Sequence, residues 1–144
     1  MNFFLDTNVL VDILRTKGPQ KSVDLFDKIP HGSRVYISII TVAELSAGAY
    51  RSTRRDAVQE TDDLIAQLIV INLNEKIAIE AGKIYAELQN SGKDIQLHDC
   101  LIAATARASG FNTIVTRDTD HFMRITNFSA ITPEQIIPDD IKKA

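Results

Sequence analysis

Short apolar runs that stop at an acidic or cap-forming residue, and then give way to helical periodicity, recur along this chain. That alternation constrains the fold most, because strands separated by helices pair in parallel and need helices on both faces of the sheet. Residues 2–5 are apolar and stop at Asp6, after which Val9, Leu10, Ile13 and Leu14 recur at helical spacing until Gly18-Pro19. Residues 35–39 are β-branched and aromatic and lead into a helix from about Thr41 to Tyr50. Residues 68–73 read as a third strand, and 75–90 as a helix with Ile77, Ala81, Ile84 and Leu88 on one stripe. A helix over 97–109 is closed by Gly110, 113–116 form a fourth strand, and 130–132 add a short fifth. Two more amphipathic helices fall at 20–29 and 56–67, with the basic loop 51–55 ahead of the second. The expectation is an α/β three-layer sandwich around a central parallel sheet of four to five strands. A single domain is expected over 1–144, with a polar tail from about Pro138.

Composition narrows the function classes. With 144 residues, 44% hydrophobic, the chain suffices for one buried core. The lone Cys100 excludes a disulfide framework within the chain. Apolar runs fall far short of the roughly 18 residues of a membrane span, and the N-terminus carries no basic export signal, so a cytoplasmic location is expected. Net charge is −3, which argues against coating nucleic acid by bulk positive charge. It leaves open a local contact neutralised by a metal ion.

In doubly wound sheets the site lies at the carboxyl ends of the strands. Three predicted strand ends are acidic. Asp6 follows the first and also reads as an N-cap. Glu44 follows the second, within Thr41-Val42-Ala43-Glu44, a capping-box pattern. Asp118 and Asp120 follow the fourth, where turn chemistry is the plain alternative. Asp99 is harder to explain structurally, because it shares a helical stripe with Ile102, Ala103 and Ala106, and a carboxylate there must be paired or bound to a cation. Carboxylates gathered without a cation repel and become partly protonated. A divalent metal resolves this, and all-oxygen ligands point to Mg²⁺ or Mn²⁺. His31, His98 and His121 show no paired ligand spacing and read as surface or turn residues. No glycine-rich phosphate loop and no Gly-x-Ser-x-Gly elbow is present, and Cys100 falls on a helix.

Four blocks in order resemble the PIN-domain ribonucleases, specifically VapC-type toxins of toxin–antitoxin pairs. They are Phe4-Leu5-Asp6-Thr7-Asn8-Val9-Leu10, Ser38-Ile39-Ile40-Thr41-Val42-Ala43-Glu44-Leu45, His98-Asp99-Cys100-Leu101-Ile102-Ala103-Ala104-Thr105-Ala106, and Thr113-Ile114-Val115-Thr116-Arg117-Asp118 with Phe122 beyond. The resemblance spans essentially the whole chain. It implies a Mg²⁺- or Mn²⁺-dependent endoribonuclease, usually a homodimer, silenced by a cognate antitoxin. Asp6, Glu44, Asp99 and Asp118 match the acidic centre, with Thr7, Asn8, Ser38 and Thr116 as supports. Asp118 and Asp120 both suit the fourth position, Asp118 as principal ligand and Asp120 as an outer one. In an extended exit from the strand, both face the same side as Thr116. An antitoxin peptide is expected on apolar helical surface near Leu10, Ile13 and Leu14, beside Arg15-Thr16-Lys17. Arg51, Arg54 and Arg55 read equally as steering RNA phosphates or as a solvated loop.

The rival in another class is a non-cleaving PIN-like module that binds nucleic acid or a partner. Loss of one of the four acids would favour it, and all four are present. A haloacid-dehalogenase-type phosphatase needs a second Asp where Asn8 stands, and a receiver domain needs an acidic pair that Asp6-Thr7 does not supply.

Overall fold

The computed structural model describes residues 1–15 and 29–136. In chain order the elements are β1 (Asn2–Phe4), α1 (Thr7–Arg15), β2 (Arg34–Ser38), α2 (Ile39–Arg51), α3 (Ala57–Ala66) and β3 (Ile69–Ile71). Then follow α4 (Glu75–Asn90), α5 (Leu97–Ala108), β4 (Thr113–Val115), α6 (Thr119–Met123), β5 (Ser129–Ile131) and a 3₁₀ turn, Pro133–Gln135. The helix expected over 20–29 falls, apart from Ile29, outside the described residues, as does the tail from Pro138.

All strand pairs are parallel, as alternating strands and helices require. The strands form not one sheet of four to five but a three-stranded sheet, ordered β1-β2-β3, and a two-stranded sheet, β4-β5. A single Leu5–Val115 bridge joins them. At that seam the Leu5 N–H donates to the Tyr36 carbonyl at 3.0 Å, and the Asp6 N–H turns the other way to the Val115 carbonyl at 2.9 Å. The backbone therefore knits the end of β1 to both neighbours immediately before the first acid.

Side chains of successive strand residues alternate between two cores. Phe4 and Ile114 join Ile102, Ala103 and Phe122 under α4 and α5. Phe3, Leu5 and Val115 join Leu10, Ile37 and Leu45 under α1 and α2. Phe4, Leu5, Leu10 and Ile114 are fully buried, each worth roughly 1.5–3 kcal/mol against exposure. The three layers follow from strands apolar on both faces.

Two helix ends matter for the site. Gly92 (φ +67°) closes α4 and Gly110 (φ +89°) closes α5 in the left-handed conformation that glycine tolerates. After Gly110 the Phe111 N–H donates to the Ala106 carbonyl at 2.9 Å, and Gly110 N–H to Arg107 at 3.1 Å. That pattern stops the helix and turns the chain towards β4. Among the described residues no helix is long and apolar enough to cross a membrane.

Candidate active site

Asp6 leaves β1 at the seam and is 5% exposed. One carboxylate oxygen accepts from the Thr7 N–H at 2.7 Å, and the other from the Thr116 hydroxyl at 2.8 Å. Thr116, itself fully buried at the end of β4, accepts the Asp118 N–H at 3.0 Å. Asn8 lies beside it, its Nδ2 3.3 Å from Thr116 Oγ1 and its Oδ1 accepting the Arg117 N–H at 3.1 Å. Burial is the largest influence on Asp6. It outweighs these hydrogen bonds and, with the charges of Asp99 and Glu44, lifts the carboxyl from the ordinary 3.8 to about 6.

Glu44 arrives from α2. The Thr7 hydroxyl donates to Glu44 Oε1 at 2.9 Å, which leaves the Thr41 hydroxyl to donate to Thr7 at 2.9 Å. The capping box expected at Thr41–Glu44 does not form. The helix starts at Ile39, with Ser38 as N-cap accepting the Ile40 N–H at 3.1 Å, so Thr41 and Glu44 lie inside it. Ser38 also reaches the Thr105 hydroxyl at 3.3 Å, which braces α2 against α5 below the pocket.

Asp99 occupies the first turn of α5. Burial raises its pKa, aided by the charges of Asp118 and Glu44 and opposed by His98 and His121. Asp118 directly precedes α6, and its carboxylate pairs with His121 Nδ1 at 2.5 Å. His98 Nε2 lies 3.3 Å from Asp99 and 4.0 Å from Glu44.

Asp6, Thr7, Asn8, Glu44, Asp99 and Asp118 thus line one cavity of about 370 Å³, together with Val11, Gln96, His98 and His121. Thr116 and Ser38 lie beneath it. Asp120 does not line it. The extended exit that would turn Asp118 and Asp120 to one side is replaced by α6, and side chains two apart on a helix diverge. The two histidines, read from sequence as surface or turn residues, instead face the acids. Their signal was local: His98 directly precedes Asp99 at a helix start, and His121 is three residues after Asp118, a helical neighbour once α6 is recognised. The donor set is oxygen-rich and carboxylate-dominated, the chemistry of hard divalent cations rather than zinc. Among the described residues, no three His, Cys, Asp or Glu side chains are gathered tightly enough to hold an ion as they stand. Asp99 and Asp118 are each engaged by a histidine.

A pocket of clustered carboxylates at the carboxyl ends of a parallel sheet defines a class, and sequence comparison places the chain within it. The PIN domain family model matches residues 3–127, and the chain belongs to that family. Its relatives include Ribonuclease VapC2 of Haemophilus influenzae, 30% identical over 126 residues that cover 87% of this chain and 92% of the relative. The tRNA(fMet)-specific endonuclease VapC of Salmonella typhimurium is 32% identical, with the same coverage. Among solved structures, VapBC2 from Rickettsia felis, bound to a DNA fragment from its promoter, superposes with a TM-score of 0.77 at 27% identity. It covers 92% of this chain and 98% of that one.

Proposed function

We propose that this protein is a metal-dependent endoribonuclease and the toxin of a toxin–antitoxin pair, using Mg²⁺ or Mn²⁺. The observation that carries the reading is the convergence of Asp6, Glu44, Asp99 and Asp118 on one pocket, with Asp6 lifted to about 6 by burial and neighbouring charge. That arrangement is costly without a cation. The VapC ribonucleases among its relatives supply the substrate class.

Asp6, Asp99 and Asp118 are the residues that would hold the ion. Asp6 is fixed in place by Thr7 and Thr116, and Asp99 and Asp118, now engaged by His98 and His121, would hold the ion if those partners gave way. When bound, such a cation positions a water and stabilises charge developing on phosphate oxygens. Glu44 has one oxygen tied to Thr7, which leaves Oε2, on the side towards His98, to accept the proton of the attacking water. Asp120, outside the pocket, is left an outer role at most.

A groove of about 640 Å³ runs beside the site, lined by Val11, Leu14, Leu45 and Ala49 and rimmed by Arg15, Arg51 and Arg54. It suits an amphipathic antitoxin helix with acidic flanks. Val11 and Glu44 line both groove and pocket, so an occupant of the groove ends at the acids. Leu10, expected on this surface, is instead in the core, and Thr16 and Lys17 lie outside the described residues. A similar solved structure, a toxin–antitoxin complex from Klebsiella pneumoniae, supports an antitoxin partner. Purified protein should cut an RNA pool in Mg²⁺ or Mn²⁺ and stop on addition of EDTA. Cleavage undiminished in EDTA overturns the metal requirement, and absence of cleavage with either metal overturns the nuclease reading. Sedimentation of the free protein checks the homodimer that the family implies.

A further inference from the structure

A second hollow, of about 210 Å³, lies between α4, the C-terminal half of α5 and the chain leaving α6. Four cations reach it: Lys83 and Lys93 from α4 and the turn after it, Arg107 from α5 and Arg124 from the end of α6. The carboxylates there are Glu80 and Glu87, and Glu80 is taken by Arg107 at 3.5 Å. In a chain of net charge −3 this is a local reversal of sign.

The two arginines are held in place. Arg107 donates to the Thr126 carbonyl at 2.6 Å and its guanidinium lies 5.7 Å from the Phe128 ring centre. Arg124 donates to the Asp94 carbonyl at 2.8 Å. Each guanidinium has five N–H donors, so most remain unused and fixed in direction. Lys83 and Lys93 are exposed and make no ion pair among the described residues. The dipole at the end of α4 accounts for Lys93 but not for cations brought from α5 and α6.

The hollow shares no lining residue with the acidic pocket, but the chain connects the two in two places. Lys93 is three residues before Gln96, and Arg124 three after His121, and both Gln96 and His121 line the acidic pocket. His121 to Arg124 is one helical step of about 4.5 Å, whereas Lys93 to Gln96 is non-helical chain that spans at most about 10 Å. Four carboxylates repel a polyanion, so RNA reaching them needs cations close by to position its backbone.

We propose that Lys83, Lys93, Arg107 and Arg124 form a phosphate-binding subsite that holds the RNA strand on one flank of the acidic pocket. This rests on the ribonuclease reading above, and its test does not need turnover. Binding of a fluorescein-labelled single-stranded oligoribonucleotide of about twelve nucleotides, long enough to span a basic groove, is followed by anisotropy in EDTA across a salt series. Lys83→Gln and Lys93→Gln should each weaken binding several-fold and flatten the slope of log K against log salt by about 0.7, the two together by about 1.4. Lys83→Arg and Lys93→Arg should retain parental binding. Arg34→Gln, which removes the same charge from the start of β2 at the opposite end of the sheet, should leave affinity and slope unchanged. Equal slopes for parent and double variant, an equal loss in Arg34→Gln, or no RNA binding by the parent would overturn the subsite. Failure of the parent to cut RNA in Mg²⁺ and Mn²⁺ while the slopes still differ removes the nuclease reading and leaves the subsite standing.

Discussion

The inner and outer halves of the acidic pocket are built on opposite principles. Asp6 sits in a satisfied network, with Thr7 and Thr116 donating to its two oxygens and 5% of its surface exposed. Asp99 and Asp118 instead pair with the neighbouring histidines His98 and His121, the two acid side chains being 14% and 42% exposed. The inner acid is immobilised but electrostatically expensive. Asp99 also bears a cost of burial, but it and Asp118 are each engaged by a histidine rather than by a network of hydroxyl and amide donors. One rigid and two adaptable carboxylates suit a centre that must admit a cation, and this contrast can be broken from either side.

The largest effect is expected at Asp99. Asp99→Asn keeps the shape but removes charge, and should lower RNA cleavage by about 10³-fold or more. Because the change relieves repulsion from Asp118 and Glu44, the melting temperature in EDTA should hold or rise. Cleavage at parental rate, or a much earlier melt, would make Asp99 a structural residue.

Next is the pair on either side of the start of α6. Asp118→Asn should cost about 100-fold, while Asp120→Asn, whose side chain does not line the pocket, should stay within about threefold of the parent. Side-by-side rates on one RNA decide it, and a larger loss for Asp120→Asn reverses the assignment.

Asp6 gives a pH signature. Its folded pKa, about 6, lies above the ordinary 3.8, so the folded state binds the extra proton. Metal-free stability attributable to this group therefore increases as pH falls from above 6 towards 3.8. The difference approaches about 3 kcal/mol at most. Denaturant melts in EDTA of the parent and Asp6→Asn should diverge as pH rises through 6, the variant being the more stable. Parallel curves would mean that Asp6 is not the strained acid.

The smallest effect is expected below the pocket. Thr116→Val removes the hydroxyl that donates to Asp6 and accepts from Asp118, at about 1–3 kcal/mol of stability. Losing that donor raises the Asp6 pKa further, so the acid limb of the cleavage profile should move to higher pH. An unmoved limb would separate Thr116 from the ionisation of Asp6.

Much of the fold was legible because it is written locally. The helix over 75–90 was read at its observed bounds, since its apolar stripe and its closing Ser91-Gly92 sit within one segment. The strand ends were found within a residue or two because short β-branched or apolar runs give way there to polar or helix-forming residues, an acid in the case of Asp6. Three features were not legible. Ser38 rather than Thr41 begins α2, because the buried hydroxyl also bonds Thr105, which is 67 residues away. The turn-prone stretch after Asp118 became a helix, with Phe122 fully buried to hold it down. The sheet split in two because the β1–β4 seam carries one bridge, and strand count depends on pairing that no single segment encodes.

The sequence by itself determined the alternation of strands and helices, the parallel pairing and the candidate acids, three of them close to a strand or helix end, all consequences of periodicity and residue type within short windows. Tertiary structure alone decided which charges meet. It brought Asp6, Glu44, Asp99 and Asp118 into one pocket and gathered Lys83, Lys93, Arg107 and Arg124 around one hollow. Those outcomes depend on distances between segments far apart in the chain, and burial, hydrogen bonding and Coulomb energy act on distance in space.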